Sequence, residues 1–133
     1  MQALNEKAEA IFHKLTEGMV KVGDHRKWDN ASGTFMAVCI EVIGRTGLGP
    51  LVSVAHYYEQ NGDAMRDPDV VMIDAPGGLF PVSYRQDGLG INQDSVTYDE
   101  NDGHINGVRV KMQVDIASFC GTWARNLKDK QGL

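Results

Sequence analysis

Residues 51–73 read LVSVAHYYEQNGDAMRDPDVVMI, and they contain two strand-forming segments separated by a polar stretch. The first segment, 51–60, alternates between the two faces of a strand, and the second, 70–73, is rich in β-branched residues. A loop around Gly62 and Pro68 is expected to join them. Because a parallel pair needs a crossover of about a dozen residues or more, an antiparallel pair is the simplest arrangement. This stretch therefore predicts an antiparallel sheet.

Further segments on either side of this pair also have strand character. Residues 34–43 (TFMAVCIEVI) are apolar on both faces, which indicates a central or covered strand. Residues 79–84 contain Pro81, which favours an edge position or a bulge. Residues 91–98 predict a last strand, and the three glycines and the proline of 44–50 predict a connecting loop. The sequence thus predicts a sheet of about five strands.

Amphipathic helices are predicted at both ends of the chain. Residues 3–17 place apolar side chains at helical spacing opposite a charged face, and Gly18 is expected to end that helix. The same spacing recurs near the C-terminus in Met112, Ile116, Phe119, Cys120, Trp123 and Leu127. Since helices and strands do not alternate, the order helix, strands, helix indicates an α+β fold in which both terminal helices pack on the antiparallel sheet.

The length and composition indicate one small globular domain. The chain has 133 residues, of which 42% are hydrophobic and 23% charged, so we expect 1–133 to fold around a single core. The N-terminus lacks the continuous apolar stretch of a signal peptide or a spanning helix. Cys39 and Cys120 lie in apolar surroundings and predict two small buried side chains rather than a disulfide. A reducing cytoplasm and no membrane insertion are therefore expected.

The charge balance is mildly acidic. Thirteen Lys and Arg against eighteen Asp and Glu give a formal net charge of -5, which disfavours non-specific binding to nucleic acid and to anionic lipid. Two small basic groups occur, Lys21, Arg26 and Lys27 beside Trp28, and Arg125, Lys128 and Lys130 near the C-terminus. Such groups are typical of a solvated face, and nucleic-acid binding through them is the third-ranked hypothesis.

Six residues of the 51–73 stretch form the candidate partner-binding site: His56, Tyr57, Tyr58, Glu59, Asp63 and Arg66. Strand alternation puts His56 and Tyr58 on one face and Tyr57 on the other. Tyr and Arg anchor many protein interfaces, which makes Tyr57, Tyr58 and Arg66 the contacts to test. The structural alternative is that the tyrosine rings pack at the sheet margin while the histidine hydrogen-bonds a neighbour.

A small hydrolase or ligand-binding enzyme that uses the same segment, with or without a divalent ion, is the runner-up. A histidine beside carboxylates can move protons, and His56, Glu59 and Asp63 supply such a group. Carboxylates in this segment also offer the oxygens that divalent cations prefer, but their spacing differs from an EF-hand and favours turns, one of them at Asp67 and Pro68. No motif with a known reaction occurs, so we assign no metal or cofactor and favour a non-enzymatic role over an enzyme.

Three segments of the chain resemble a family of small uncharacterised bacterial proteins: SVAHYYEQNGDAMRDPDVV, LFPVSYRQDGLGINQ and DIASFCGTWARNLKDKQ. The most specific part is HYYEQNGD followed by RDPD, and the resemblance covers most of the chain after Gly33. The family is associated with plasmids, phages and other mobile elements, and it brings no activity, cofactor or catalytic residue. The resemblance implies an accessory protein of a mobile element, which we expect to bind a host-encoded or element-encoded protein.

Overall fold

The fold is α+β, with two helices and two antiparallel sheets. The computed structural model describes residues 1–29 and 36–133. The elements are helix α1 (Glu6–Thr16), strands β1 (His25–Trp28), β2 (Val38–Thr46), β3 (Gly49–Gln60), β4 (Asp63–Ala75), β5 (Gly78–Gln86), β6 (Ile91–Asp94), β7 (Val96–Tyr98) and β8 (Ile105–Val108), and helix α2 (Val110–Gln131). A short 3₁₀ turn, Asp87–Leu89, joins β5 to β6.

The larger sheet is a meander of six antiparallel strands, in which each strand pairs with the next along the chain. Strands β7 and β8 form a separate two-stranded sheet. The antiparallel sheet is therefore confirmed. The predicted strand 34–43 corresponds to β2, which begins at Val38 and has a strand on each side, and residues 34 and 35 lie outside the described part of the chain. The expected size of about five strands was too small, because β1 was not predicted. In addition, the last predicted strand is divided between the two sheets, and β8 was not predicted.

Two predicted loops are instead parts of long hairpins. Residues 44–50 belong to β2 and β3, which are joined by two residues only. The polar stretch 61–69 consists of a two-residue turn followed by the first half of β4. Asn61 and Gly62 both have positive φ, 53° and 84°, as a type I′ hairpin turn requires. The glycines and the proline of 44–50 and the polar residues of 61–69 favour loops locally, but in both places strand pairing satisfies the backbone.

The register of the six-stranded sheet is interrupted at three positions, two of which involve a proline. Tyr57 pairs with Arg66 and Ala55 with Asp69, so the turn predicted at Asp67 and Pro68 is a bulge within β4. In β5 the partners of Val71 and Met72 are Ser83 and Pro81. The bulge predicted at Pro81 is thus confirmed, and β5 lies inside the sheet rather than at its edge.

The predicted strand 91–98 bends at Ser95, where the chain passes from one sheet to the other. The Ser95 hydroxyl is buried and donates to the carbonyl oxygens of Pro81 and Val82, over 3.0 and 3.1 Å. Its backbone N–H also donates to the carbonyl of Val82, over 2.7 Å. These bonds attach the β7–β8 sheet to β5.

Both helices pack on one face of the six-stranded sheet and form the main core with it. Its members include Phe12, Leu15, Ile40, Val52, Met72, Ile116, Trp123 and Leu127. A smaller cluster of Leu51, Ile73, Val82 and Val96 lies where β7 and β8 cover part of the opposite face. Both cysteines are free, Cys120 within the core and Cys39 half-buried on the opposite face. The part of that opposite face around β1 to β4 is called the open face below.

Candidate functional site

The six residues predicted as a site all lie on the β3–β4 hairpin or beside its turn, and the structure divides them between the two faces. Tyr57 pairs with Arg66 across the strands, and Tyr57 is 40% exposed on the open face. His56 lies on the helix face and is 8% exposed. Glu59 and Asp63 are exposed near the tip of the hairpin. The hairpin therefore presents Tyr57 and Arg66 together and separates them from His56.

His56 connects β3 to α2 and has both ring nitrogens hydrogen-bonded. Its Nδ1 donates to the carbonyl oxygen of Ala37 over 3.0 Å, and the indole Nε1 of Trp123 donates to its Nε2 over 3.1 Å. These partners require a neutral ring with its proton on Nδ1. Burial lowers the pKa of His56, which agrees with that state. The geometry corresponds to the hydrogen-bonded, structural alternative for this residue.

The acidic residues of the hairpin tip do not complete a catalytic or metal-binding group with His56. Within the described parts of the chain, neither Glu59 nor Asp63 forms a hydrogen bond or an ion pair with it. Over residues 1–29 and 36–133, no three His, Cys, Asp or Glu side chains are placed to hold a metal ion.

Arg66 is held in place by Asp87, the first residue of the 3₁₀ turn. Its Nε and Nη2 donate to the two carboxylate oxygens over 3.0 and 2.8 Å, and its backbone N–H donates to the same group over 2.8 Å. A two-pronged guanidinium–carboxylate pair is among the best-ordered polar contacts in proteins. Hydrogen bonding from Arg66 also lowers the pKa of Asp87. Arg66 is therefore an ordered neighbour of Tyr57.

Tyr58 is half-buried against the same 3₁₀ turn. A Cβ atom added to Gly88 would lie 2.5 Å from the Tyr58 hydroxyl oxygen, so the absence of a side chain at Gly88 leaves space for that ring. The hydroxyl end of Tyr58 consequently packs on the turn that also carries the partner of Arg66.

The open face contains a shallow depression of about 420 Å³, called the open-face depression below. Cross-strand neighbours bring its side chains together, since His25 pairs with Glu41 and Glu41 pairs with Ser53. Its lining residues are His25, Arg26, Lys27, Cys39, Ile40, Glu41, Ile43, Ser53, Tyr57 and Asp69. Two carboxylates, Glu41 and Asp69, and two cations, Arg26 and Lys27, therefore line this surface.

Asp69 is the carboxylate in the open-face depression with the most unusual surroundings. It is half-buried, and this burial raises its pKa above the ordinary value for aspartate. The Ser53 hydroxyl donates to its Oδ1 over 2.6 Å. Arg66 and Arg85 influence Asp69 through their charges, but each is paired with another carboxylate. Among the described residues, no cation forms an ion pair with Asp69.

Tyr57 combines an accessible ring with a hydroxyl that keeps its proton. Burial is the largest cause that raises the pKa of Tyr57, and the charges of Asp69 and Glu41 act in the same direction. The electron-rich face of a tyrosine attracts cations, and carboxylates beside it strengthen that preference. The arrangement of Tyr57, Asp69 and Glu41 therefore suits a positively charged group.

The comparison with known protein families matches residues 3–133 to a domain of unknown function, DUF6908. The chain belongs to this family. No curated protein and no solved structure matches it. The match agrees with the expected resemblance to an uncharacterised family, and it assigns no role to any residue of the DUF6908 chain. Neither helix in the described residues has the length and apolarity needed to cross a membrane.

Sequence reasoning missed the open-face depression of the DUF6908 chain, although one signal for it was present. Ser53 and Tyr57 alternate with the apolar Val52 and Val54, which indicates that one face of β3 is polar. Asp69 was interpreted as a loop residue. Its position beside Ser53 became visible only once β4 was seen to pair with β3 along its length.

Proposed function

We propose that this DUF6908 chain is a non-enzymatic, cytoplasmic accessory protein of a bacterial mobile genetic element, which acts by binding a host-encoded or element-encoded protein. The observation that carries the binding proposal is the half-buried Asp69 beside the exposed ring of Tyr57. The proposed biological setting is motivated by the resemblance of the sequence, and the proposed contact is motivated by the geometry of the open-face depression.

The proposed ligand group is a lysine or arginine side chain of the partner. Removing a carboxylate from water costs free energy unless a cation or several hydrogen bonds replace the lost hydration. Asp69 receives one hydroxyl hydrogen bond, from Ser53, and a cation in the open-face depression would supply the missing partner. Glu41 adds a second carboxylate to the same depression, which Arg26 and Lys27 also line.

The order already present at the site favours binding. Arg66 is fixed by Asp87 before any partner arrives, so little side-chain entropy is lost there on association. Tyrosine rings also provide a large contact area with few rotatable bonds. Tyr57 is therefore the proposed anchor, with Arg66 as an ordered support and Asp69 as the group that selects a cation.

Affinity capture from host lysate tests the proposal. The tagged wild-type chain is compared with a Tyr57→Ala, Asp69→Asn variant and with a matched control, Val114→Ala, Asp115→Asn, on α2. Val114 is 41% exposed, close to the 40% of Tyr57, and Asp115 is exposed. A protein retained by the wild type and the control but lost by the open-face variant supports the proposal. Crosslinks to position 57 are then expected to map to a basic segment of that protein.

Capture of the same proteins by all three forms, with the variants folded by circular dichroism, contradicts the proposal. Loss from both variants contradicts it as well, because the α2 substitutions lie outside the open-face depression.

A small enzyme or a ligand-binding domain is the second candidate, and the raised pKa of Asp69 favours it. A carboxyl group with a raised pKa in a depression is typical of general acids, and Cys39 and Tyr57 line the same space. Because both nitrogens of His56 are engaged, Asp69 replaces the His56, Glu59 and Asp63 group as the chemical centre of this alternative. A metabolite that raises the melting temperature of the wild type but not of Asp69→Asn would favour it over protein binding.

A further inference from the structure

The helix face of the molecule contains a second depression, which lies between α1 and α2 and has a volume of about 580 Å³. Its floor is formed by the buried side chains of Ala8, Ile11 and Ala124. The residues at its sides include Lys7, Lys14, Arg125 and Lys128, all of them exposed. This depression is called the helix groove below.

Small residues keep the two helices close together beneath the helix groove. A Cβ atom at Gly121 would lie 2.9 Å from the side-chain nitrogen of Asn5, so a larger residue there would have to displace that amide group. Ala10 is exposed beside the groove and leaves its entrance open. The shape of the helix groove therefore results from the small residues along both helices.

The charge of the helix groove is opposite to that of the whole chain. The formal net charge is -5, yet four cations and a single acid, Asp129, line this groove. Within the described parts of the chain, none of the four cations forms an ion pair. Their charges are therefore available to a ligand.

The four cations of the helix groove form two pairs, one on each helix. Lys7 and Lys14 are seven residues apart on α1, which corresponds to about 10 Å along the axis. Arg125 and Lys128 are three residues apart on α2 and lie on one side of that helix. The groove thus offers an apolar floor between two short rows of positive charge.

We propose that the helix groove binds an acidic amphipathic helix of a partner protein. The apolar side of such a helix would cover Ala8, Ile11 and Ala124, while its flanking carboxylates would meet Lys7, Lys14, Arg125 and Lys128. A nucleic-acid backbone has negative charge but no apolar side to bury on this floor, so the protein helix fits the groove better. The groove lies on the face opposite to the open-face depression, and this proposal does not depend on the function proposed above.

Fluorescence anisotropy with a labelled synthetic peptide tests the helix groove. The peptide is a helix of about five turns made of Glu, Leu and Ala, with leucines at helical spacing and glutamates on both flanks. A peptide of the same composition with a scrambled order tests whether the apolar stripe is needed. A single-stranded DNA oligonucleotide tests phosphate binding.

Two variants are directed at different properties of the groove. Lys7→Glu, Arg125→Glu reverses its charge, and Ala10→Phe obstructs its entrance without changing charge. The matched control, Lys21→Glu, Lys111→Glu, makes the same change of net charge at exposed positions outside the groove. We expect the amphipathic peptide to bind the wild type and the control equally, and each groove variant to weaken it by about tenfold.

Three results would overturn the proposal. The first is no binding of the amphipathic peptide to the wild-type chain. The second is equal binding of the scrambled peptide, or equal weakening by the control variant, because charge alone would then explain the affinity. The third is tighter binding of the oligonucleotide than of the peptide, which would assign the groove to nucleic acid.

Discussion

Substitution of Trp123 by phenylalanine tests the buried contact between α2 and His56. Trp123 is 6% exposed, and its N–H donates to the Nε2 of His56 over 3.1 Å. Phenylalanine removes this donor and leaves a buried nitrogen without a partner, at a cost of about 1–3 kcal/mol. It also shortens a ring system packed on Phe12 and Phe119, at centroid distances of 5.5 and 5.8 Å, which adds about 1 kcal/mol. We expect the free energy of unfolding to fall by about 2–4 kcal/mol.

The other tryptophan provides a matched control for this measurement. Trp28 is half-buried, and its N–H donates to the carbonyl oxygen of Gln131 over 2.9 Å. Water can replace this donor more easily, so Trp28→Phe is expected to cost about 1 kcal/mol. Urea unfolding followed by circular dichroism gives both values near neutral pH. The reasoning is refuted if Trp123→Phe costs no more than Trp28→Phe.

The same substitution is expected to change how stability depends on pH. Because burial lowers the pKa of His56, the histidine takes up a proton near pH 6.5 in the unfolded chain but only at a lower pH in the folded chain. The contribution of His56 to stability is therefore present above 6.5 and is lost as the pH falls below that value. In Trp123→Phe the Nε2 is free to accept a proton, so acidification should destabilise this variant less than the wild type.

Three further predictions use the same urea measurement. Burial raises the pKa of Asp69, so its contribution to stability is full below pH 3.8 and is lost as the pH rises through the folded-state pKa. We therefore expect Asp69→Asn to be more stable than the wild type at neutral pH, and this gain in stability to shrink in acid. Gly49→Ala should cost more than about 2 kcal/mol, because position 49 has a φ of 153° and the added Cβ atom would collide with the carbonyl oxygen of Asp74. As a control, Gly77→Ala should change stability by less than about 0.5 kcal/mol, because a Cβ atom there meets no neighbour. Ser95→Ala should cost about 1–2 kcal/mol through its lost hydrogen bonds, and an unchanged midpoint would contradict the role assigned to that hydroxyl.

The elements with a clear hydrophobic period were predictable from the sequence. The apolar stripe of α2 and the alternation in β3 reflect burial on one face, which local residue order records. Strand β1 (HRKW) has too few apolar residues to show such a period. Its place depends partly on Arg26, whose guanidinium donates to the carbonyl oxygens of Leu15 and Glu17 at the end of α1, over 2.8 and 2.7 Å. Contacts of that kind are tertiary, and a local pattern does not contain them.

The candidate site was predictable only in part for the same reason. The aromatic and polar residues of the β3–β4 hairpin were visible as a cluster, and Tyr57 and Arg66 do lie together. The burial of His56 depends on Trp123, 67 residues away along the chain. The surroundings of Asp69 depend on the register of three strands, which brings Ser53 and Arg85 beside it. Sequence order alone does not fix that register.

The central claim is that Asp69 in the open-face depression receives a cation from a partner. The most direct test is an NMR titration of the Asp69 carboxyl carbon, assigned with Asp69→Asn, in the free chain and with the peptide acetyl-Gly-Arg-Gly-amide. A peptide with citrulline in place of arginine is the neutral control. The account predicts a pKa above 3.8 in the free protein that falls when the arginine peptide is added, and no change with citrulline. An ordinary pKa in the free chain, or a value that arginine leaves unchanged, would contradict it.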